Sequence, residues 1–320
     1  MTFTAKNSRS RTRHTGVAAL ALAAAAALLA GCSSDSDDTS DNPLAGDKAE
    51  AGTVVVGSNN FAESTLLADI YGEALKAKGL KVTYQHNIGS RETTYGLLKN
   101  GSVTVLPEYN GSLLAYLDPK AEQKSVEEVN EAAKAKLDKK LTLLESSPAE
   151  NKDSVSVNAE TAKKYRLTAE STLADLKDVA PDLVIGGPPE FQTRQHGLKG
   201  LESLYGLKFK SFKALDAGGP LTQSALTKND VQAANIFTTD PTIIKEKFVV
   251  LKDPDTFFGH ANVTPLVAKD GLNKEGVAAL NALSAKLDTE TLLDLDAQVQ
   301  LDKKDPLDVA KAWLESAGLL

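Results

Sequence analysis

Over residues 53–106 short β-branched runs alternate with helical spacing, and this alternation constrains the fold more than any other feature of the chain. Thr53 to Gly57 reads as a buried strand. A helix pattern from Ala62 to Lys78 puts Leu66, Leu67, Ile70, Ala74 and Leu75 on one face, and Gly79 stops it. Lys81 to Gln85 alternates as a strand, Glu92 to Lys99 has helical spacing, and Ser102 to Leu106 reads as the next strand. A βαβαβ order of this kind predicts a parallel sheet in an α/β protein.

The pattern continues downstream. Ser125 to Lys140 reads as a surface helix with a Ser125/Glu128 capping box, acids in its first turn and lysines in its last. A second α/β set follows: strands at 154–157, 183–185, 208–212, 231–237, 248–251 and 263–268, and a short capped helix at 172–178. Helices at 274–286, 289–297 and 306–316 end the chain, the last with Asp305 as cap and Pro306 in its first turn. Trp313 is expected to pack that helix onto the body of the protein.

The first 31 residues read as a signal peptide. Lys6, Arg9, Arg11 and Arg13 form a positive start, and Gly16 to Ala30 is an apolar stretch too short for a comfortable membrane span. Leu29-Ala30-Gly31-Cys32 is similar to the lipobox of bacterial lipoproteins, which implies cleavage before Cys32 and acylation of its thiol. Cys32 is the chain's single cysteine, so the mature chain is expected to lack disulfides, thiolate metal sites and cysteine nucleophiles. Residues 32–52 carry no hydrophobic period and read as a flexible tether. Residues 1–31 hold four Lys/Arg and no Asp/Glu, so the formal charge of −7 becomes −11 without them. So acidic a chain with no basic stripe is a poor nucleic-acid binder. The remaining residues are too many for one small domain and suit two lobes.

Catalytic templates fail in turn. There is no glycine-rich phosphate loop, nucleophile elbow or metal-spaced His pair; no metal and no cofactor are expected. His86, His196 and His260 lie far apart. A carboxylate-dependent hydrolase with Glu108 or Asp240 as base stays open as an alternative. Glu108 itself reads as an acceptor that fixes its loop, and Asn110-Gly111 as a turn that ends the strand before it. The loops GSNNF (57–61), IGSRET (88–93), PEYNGS (107–112), GGPPEFQTR (186–194) and FTTDP (237–241) each follow an expected strand, where ligands gather in open α/β sheets. Their hydroxyls, amides, helix N-termini, aromatic faces and one well-placed Arg suit a small zwitterion: a carboxylate takes guanidinium and N–H donors, a cationic ammonium takes rings.

Gly57-Ser58-Asn59-Asn60-Phe61, Pro107-Glu108-Tyr109-Asn110-Gly111, Glu190-Phe191-Gln192-Thr193-Arg194-Gln195-His196-Gly197 and Thr239-Asp240 occur in this order. In these words the chain from Val54 to the last helix resembles the extracytoplasmic binding lipoproteins of ABC osmolyte importers, which take up glycine betaine, choline, carnitine or proline betaine. The resemblance implies a two-lobed, type II Venus-flytrap fold of the periplasmic-binding-protein kind, with 53–150 plus 247–320 as lobe 1 and 151–246 as lobe 2. It implies a ligand between the lobes: Arg194 holding a carboxylate, Tyr109 and Phe237 at an aromatic cage, and Ser58, Asn59, Ser90 and Asp240 as polar contacts, although turn and cap roles suit Ser58, Asn59, Ser90 and Asp240 too. It further implies a monomer without catalysis, lipid-anchored at the outer face of the cell membrane, serving a permease and its ATPases. A sensing lipoprotein, or a binder of an amino acid or ergothioneine, is the alternative. Asn59 stands where relatives have Lys, Thr104 and Leu106 where they have Asp and Tyr, and Gln223 near a cage Tyr, so the resemblance specifies the family and not the ligand.

Overall fold

The computed structural model describes residue 2, residues 50–121 and residues 125–320. The signal segment past its second residue, Cys32 and most of the tether lie outside the described residues. Everything from Glu50 on belongs to a single unit.

Ten strands are described: β1 Thr53–Gly57, β2 Lys81–Gln85, β3 Val105–Tyr109, β4 Leu141–Leu143, β5 Asp153–Val157, β6 Val184–Gly187, β7 Ser211–Ala214, β8 Ala233–Phe237, β9 Val249–Val250 and β10 Val263–Ala268. They form two five-stranded sheets, ordered β2-β1-β3-β10-β4 and β7-β6-β8-β5-β9. The β1–β2 and β1–β3 pairs are parallel, as the alternating pattern predicts, but β10 runs antiparallel to β3 and β4, so the sheet is mixed. The second sheet repeats this scheme, with β6 parallel to β7 and β8 and β5 antiparallel to β8 and β9.

The helix Ala62–Ala77 buries its expected Leu/Ile stripe and also Tyr71, Glu63 and Asp69. It is covered on its other sides because the C-terminal helices Lys274–Ser284, Thr289–Gln300 and Pro306–Ser316 pack onto the same core, with Trp313 at the edge. Local capping follows the sequence closely. Ser125 Oγ accepts the Glu128 N–H at 3.2 Å, and Asp305 accepts the N–H groups of Leu307 and Asp308. The first of these helices ends at Lys136, short of Lys140, because Leu141–Leu143 leaves to join β10.

Two local expectations differ from the structure. Strand β3 runs three residues further than expected, through Pro107. Proline lacks a donor, but β1 pairs with β3 only at Val56–Val105, and on the β10 side Pro107 stands opposite Pro265. No ladder bond needs its N–H. Asn110-Gly111 is then no turn: Asn110 opens the helix Asn110–Leu117 directly after the strand. Its Oδ1 accepts the N–H groups of Gly111 at 2.8 Å and Asn262 at 2.9 Å.

The chain crosses between sheets at residues 149–152 and returns at 259–263, the two crossings hydrogen-bonded through Ala149–Val263 and Asn151–Ala261. The return comes later than the expected residue 247, because Val249–Val250 pairs with β5 and Leu251, Phe257 and Phe258 sit in the second core.

Candidate functional site

A cavity of about 50 Å³ lies where the C-terminal ends of both sheets face each other. The first lobe brings Asn59, Phe61, Ser90, Arg91 and Tyr109; the crossing brings Asn151; the second lobe brings Asp153, Phe191, Arg194, His196, Asn235 and Phe237. An outer cavity of about 210 Å³ shares Arg91, Asp153, Arg194 and His196 and adds Tyr116 and Lys199. A third, of about 390 Å³, lies behind Phe61 and Phe237.

Three rings form the aromatic wall. Phe61, immediately before the helix Ala62–Ala77, stands with its centroid 6.1 Å from that of Tyr109 and 5.0 Å from that of Phe237. Tyr109 gets there as the last residue of β3, with its ring on the face of the strand opposite Glu108. Its hydroxyl donates to Glu63, and burial, reinforced by the Glu63 charge, pushes that phenol well above its usual range.

Glu63 is a buried hub. Besides Tyr109 it accepts Asn151 Nδ2 at 2.8 Å and Thr239 Oγ1 at 2.5 Å, so one carboxylate ties lobe 1 to the crossing and to lobe 2. Asp296, fully buried on the helix Thr289–Gln300, stands against it with no well-formed hydrogen bond to either of its oxygens. Burial, then the charge of Glu63, raises the Asp296 carboxyl well above its usual value. A neutral Asp296 donating its proton to Glu63 relieves the repulsion between the two carboxyls and gives one of its oxygens a partner.

The two guanidinium groups at the cavity are each held by a carboxylate. Arg91 forks onto Glu108, Nε to Oε1 at 2.8 Å and Nη2 to Oε2 at 3.0 Å, with the Glu108 side chain fully buried. Glu108 also accepts the Tyr109 N–H at 2.8 Å, which agrees with a loop-fixing role. Arg194 reaches across the cleft to Glu92, with three bonds of 2.8–3.2 Å. Burial raises the Glu92 carboxyl, but the bonds from Arg194 and from Ser90 outweigh it and hold it down at about 2. His196, packed 5.6 Å from the Phe257 ring, is pushed down by burial and is neutral near pH 7.

Of the residues expected from the sequence, Asn59, Ser90, Tyr109, Arg194 and Phe237 line the inner cavity. Ser58 does not: it is fully buried and its Oγ accepts the Asn87 N–H at 2.8 Å. Asp240 faces the third cavity and is spent locally, accepting Thr242 N–H and Oγ1–H and Gln223 Nε2. Burial raises its carboxyl in spite of those bonds. Thr104 serves the sheet, accepting the Val55 N–H, and Leu106 lies in the core. Sequence reasoning missed Phe61, Glu63, Arg91, Glu92, Asp153 and Asp296. Arg91 and Glu92 did lie in the IGSRET loop, and a charged pair at the start of a helix facing a cleft was the available signal. Among the described residues no group of His, Cys, Asp and Glu could hold a metal ion, and no helix is long and apolar enough to cross a membrane.

Comparison with known proteins identifies the family and supports the fold. The model of the substrate binding domain of ABC-type glycine betaine transport systems matches residues 52–316. A glycine-betaine-binding protein of Pseudomonas aeruginosa is 28% identical over 289 residues, covering 85% of this chain and 90% of its own. An ergothioneine transport permease/ergothioneine binding protein of Helicobacter pylori is 32% identical over 171 residues, 53% of this chain and 30% of its own. A crystal structure titled as a glycine betaine/carnitine/choline ABC transporter superposes with a TM-score of 0.65 at 24% identity, over 83% of this chain and 99% of its own, and shows the same two-lobed fold. With the match running nearly end to end through the described residues, the chain belongs to the family of substrate-binding domains of ABC-type glycine betaine transport systems.

Proposed function

We propose that this protein is the extracytoplasmic receptor of an ABC importer, closing its lobes on a small quaternary ammonium compound such as glycine betaine, choline or carnitine and passing it to a membrane permease and its ATPases. The observation that carries this reading is the wall of Phe61, Tyr109 and Phe237 at an interlobe cavity that also holds Asp153. Ring faces and a nearby carboxylate attract a desolvated ammonium. The groups at the cleft form no nucleophile–base arrangement, and the role is binding without turnover. Asn59, Ser90, Tyr109 and Phe237 are the wall residues we assign to the ligand, and Arg194 we assign to closing the cleft over it. Bridges from Glu63 to Thr239 and from Glu92 to Arg194 close the cleft, so entry requires the lobes to part, and ligand contact with both walls shifts the population back to closed.

Calorimetric titration with glycine betaine, choline, carnitine and ergothioneine tests this reading. At least one is expected to bind, and Phe237→Ala is expected to weaken it by about 2- to 30-fold, the equivalent of about 0.5–2 kcal/mol for one ring face. Silence across the panel sinks the proposal. The sequence before the folded part further supports a lipid anchor on Cys32, since Leu29-Ala30-Gly31-Cys32 ends the apolar start. Cys32→Ser is expected to leave the membrane fraction for the medium; a variant still sedimenting with membranes counts against the anchor.

A further inference from the structure

The cleft carries more carboxylate than guanidinium. Arg91 and Arg194 line the inner cavity, and each is already forked by a protein carboxylate, Glu108 and Glu92. Asp153 and Glu190 line it as well. Four acids thus stand against two guanidinium groups, while His196 is neutral near pH 7 and Lys199 reaches only the outer cavity. Asp153 gives one oxygen to Asn235 Nδ2 at 2.9 Å and lines the cavity. A betaine brings a carboxylate of its own, and at this cavity that carboxylate meets no guanidinium without a partner.

We propose that Glu92 supplies from within the protein the carboxylate that a zwitterionic ligand would bring to Arg194, so that the cleft selects quaternary ammonium cations lacking a carboxylate over betaines. This rests on the quaternary ammonium reading above and narrows its ligand class. The geometry of Glu92 is prepared for the role. Ser90 Oγ, at the start of the same helix, donates to Glu92 Oε2 at 2.6 Å and aims the carboxylate at the second lobe. Arg194 then makes its full fork, Nη2 to Oε2 at 2.8 Å and to Oε1 at 3.0 Å, Nε to Oε1 at 3.2 Å. Planar bidentate pairing is what a guanidinium offers a ligand carboxylate, and here a residue 102 positions away takes that place. A carboxylated ligand has to displace Glu92 and adds a charge to a cleft already short of cations. A monocation leaves the Glu92–Arg194 pair closed across the lobes and meets Asp153 and the rings.

The test is calorimetric titration of the mature protein with choline, a cation without carboxylate, and with glycine betaine, its carboxylated counterpart, for wild type and Glu92→Gln. Wild type is expected to prefer choline by at least about tenfold. Glu92→Gln frees the Arg194 fork for a ligand and is expected to move the choline-to-betaine ratio by tenfold or more toward betaine. A wild type that binds betaine as tightly as choline overturns the inference. A Glu92→Gln variant whose two affinities change by the same factor overturns it too, because Glu92 would then be only a clasp between lobes. Either result leaves the quaternary ammonium function standing; a wild type that binds neither these two nor carnitine overturns both. Glu92 is half exposed, and the wild-type preference reads out the proposal even where the variant folds poorly.

Discussion

Glu108→Ala is expected to cost about 3–5 kcal/mol of unfolding free energy, more than any cleft substitution above. The Arg91 side chain is only 10% exposed, and its charge is compensated by a carboxylate with no exposed surface. Two charges this deep have lost most of their hydration, and their mutual attraction offsets that loss only while both are present. Removing Glu108 leaves a guanidinium buried against β3 with two of its N–H bonds unmade. It also strips the acceptor from the Tyr109 N–H, at the point where the strand passes into the helix Asn110–Leu117. Glu108→Gln keeps an acceptor without the charge and is expected to fall between wild type and Glu108→Ala. Urea unfolding separates this from a bland polar role. An Ala variant within about 0.5 kcal/mol of wild type would sink the claim. The double variant Arg91→Met with Glu108→Leu sharpens it further. If the pair's worth lies in avoiding an unpaired buried charge, replacing both members restores most of the stability that Glu108→Ala loses. Because Arg91 faces the cleft, the double variant is also expected to bind ligand less well while folding normally.

The stretch Val105 to Ser112 shows what the sequence makes legible and what it hides. Elements set by local chemistry were readable: the Leu66/Leu67/Ile70 stripe, the Ser125 and Asp305 caps, and strands β1, β2 and β10 lie at or near their expected positions. Strand β3 runs through Pro107 because a proline costs a strand only where a neighbour needs its N–H, and that is a property of β1 and β10 rather than of the local sequence. Asn110-Gly111 misled because Asn110 is the first helical residue, and its side chain accepts the N–H groups of Gly111 and of Asn262 in the returning crossing. The return at 259–263 was missed because the strand expected at 248–251, present as β9, pairs with β5 of the second sheet, and the choice of partner strand is not written in so short a segment. The words carrying Asn59, Ser90, Tyr109, Arg194 and Phe237 did lead to the cavity wall. Their partners were out of reach, since Glu108 lies 17 residues from Arg91, Glu92 lies 102 from Arg194, and Thr239 lies 176 from Glu63. Charge pairing across such separations is written by the fold, and so the electrostatics of the site became visible only in three dimensions.

Asp296→Asn is expected to raise stability, and by more as pH rises. Glu63 and Asp296 are both buried, and Tyr109, Asn151 and Thr239 donate to Glu63 while neither Asp296 oxygen has a well-formed hydrogen bond of its own. Burial, then the Glu63 charge, holds the Asp296 carboxyl protonated when folded; Asp240 pushes in the same direction and Gln300 against it. The sign follows from proton uptake. Below the ordinary carboxyl value both folded and unfolded chains carry the proton, and Asp296 has no effect on the slope. Above that value the unfolded chain releases it and the folded chain keeps it, so stability falls by about 1.4 kcal/mol per pH unit until the folded group also titrates. At pH 7 the loss has a ceiling of about 4 kcal/mol. An asparagine donates its amide N–H to Glu63 with no proton to take up, and its other oxygen needs no more than Asp296 already lacks. Melting curves of wild type and Asp296→Asn are therefore expected to lie close together near pH 4 and to separate as pH rises above the ordinary carboxyl value, with the variant higher by a few degrees per kcal/mol. Were Asp296 ionised in the folded protein, the difference between the two proteins would not grow with pH, and a flat difference would remove the shared proton from the account of how Glu63 ties the lobes together.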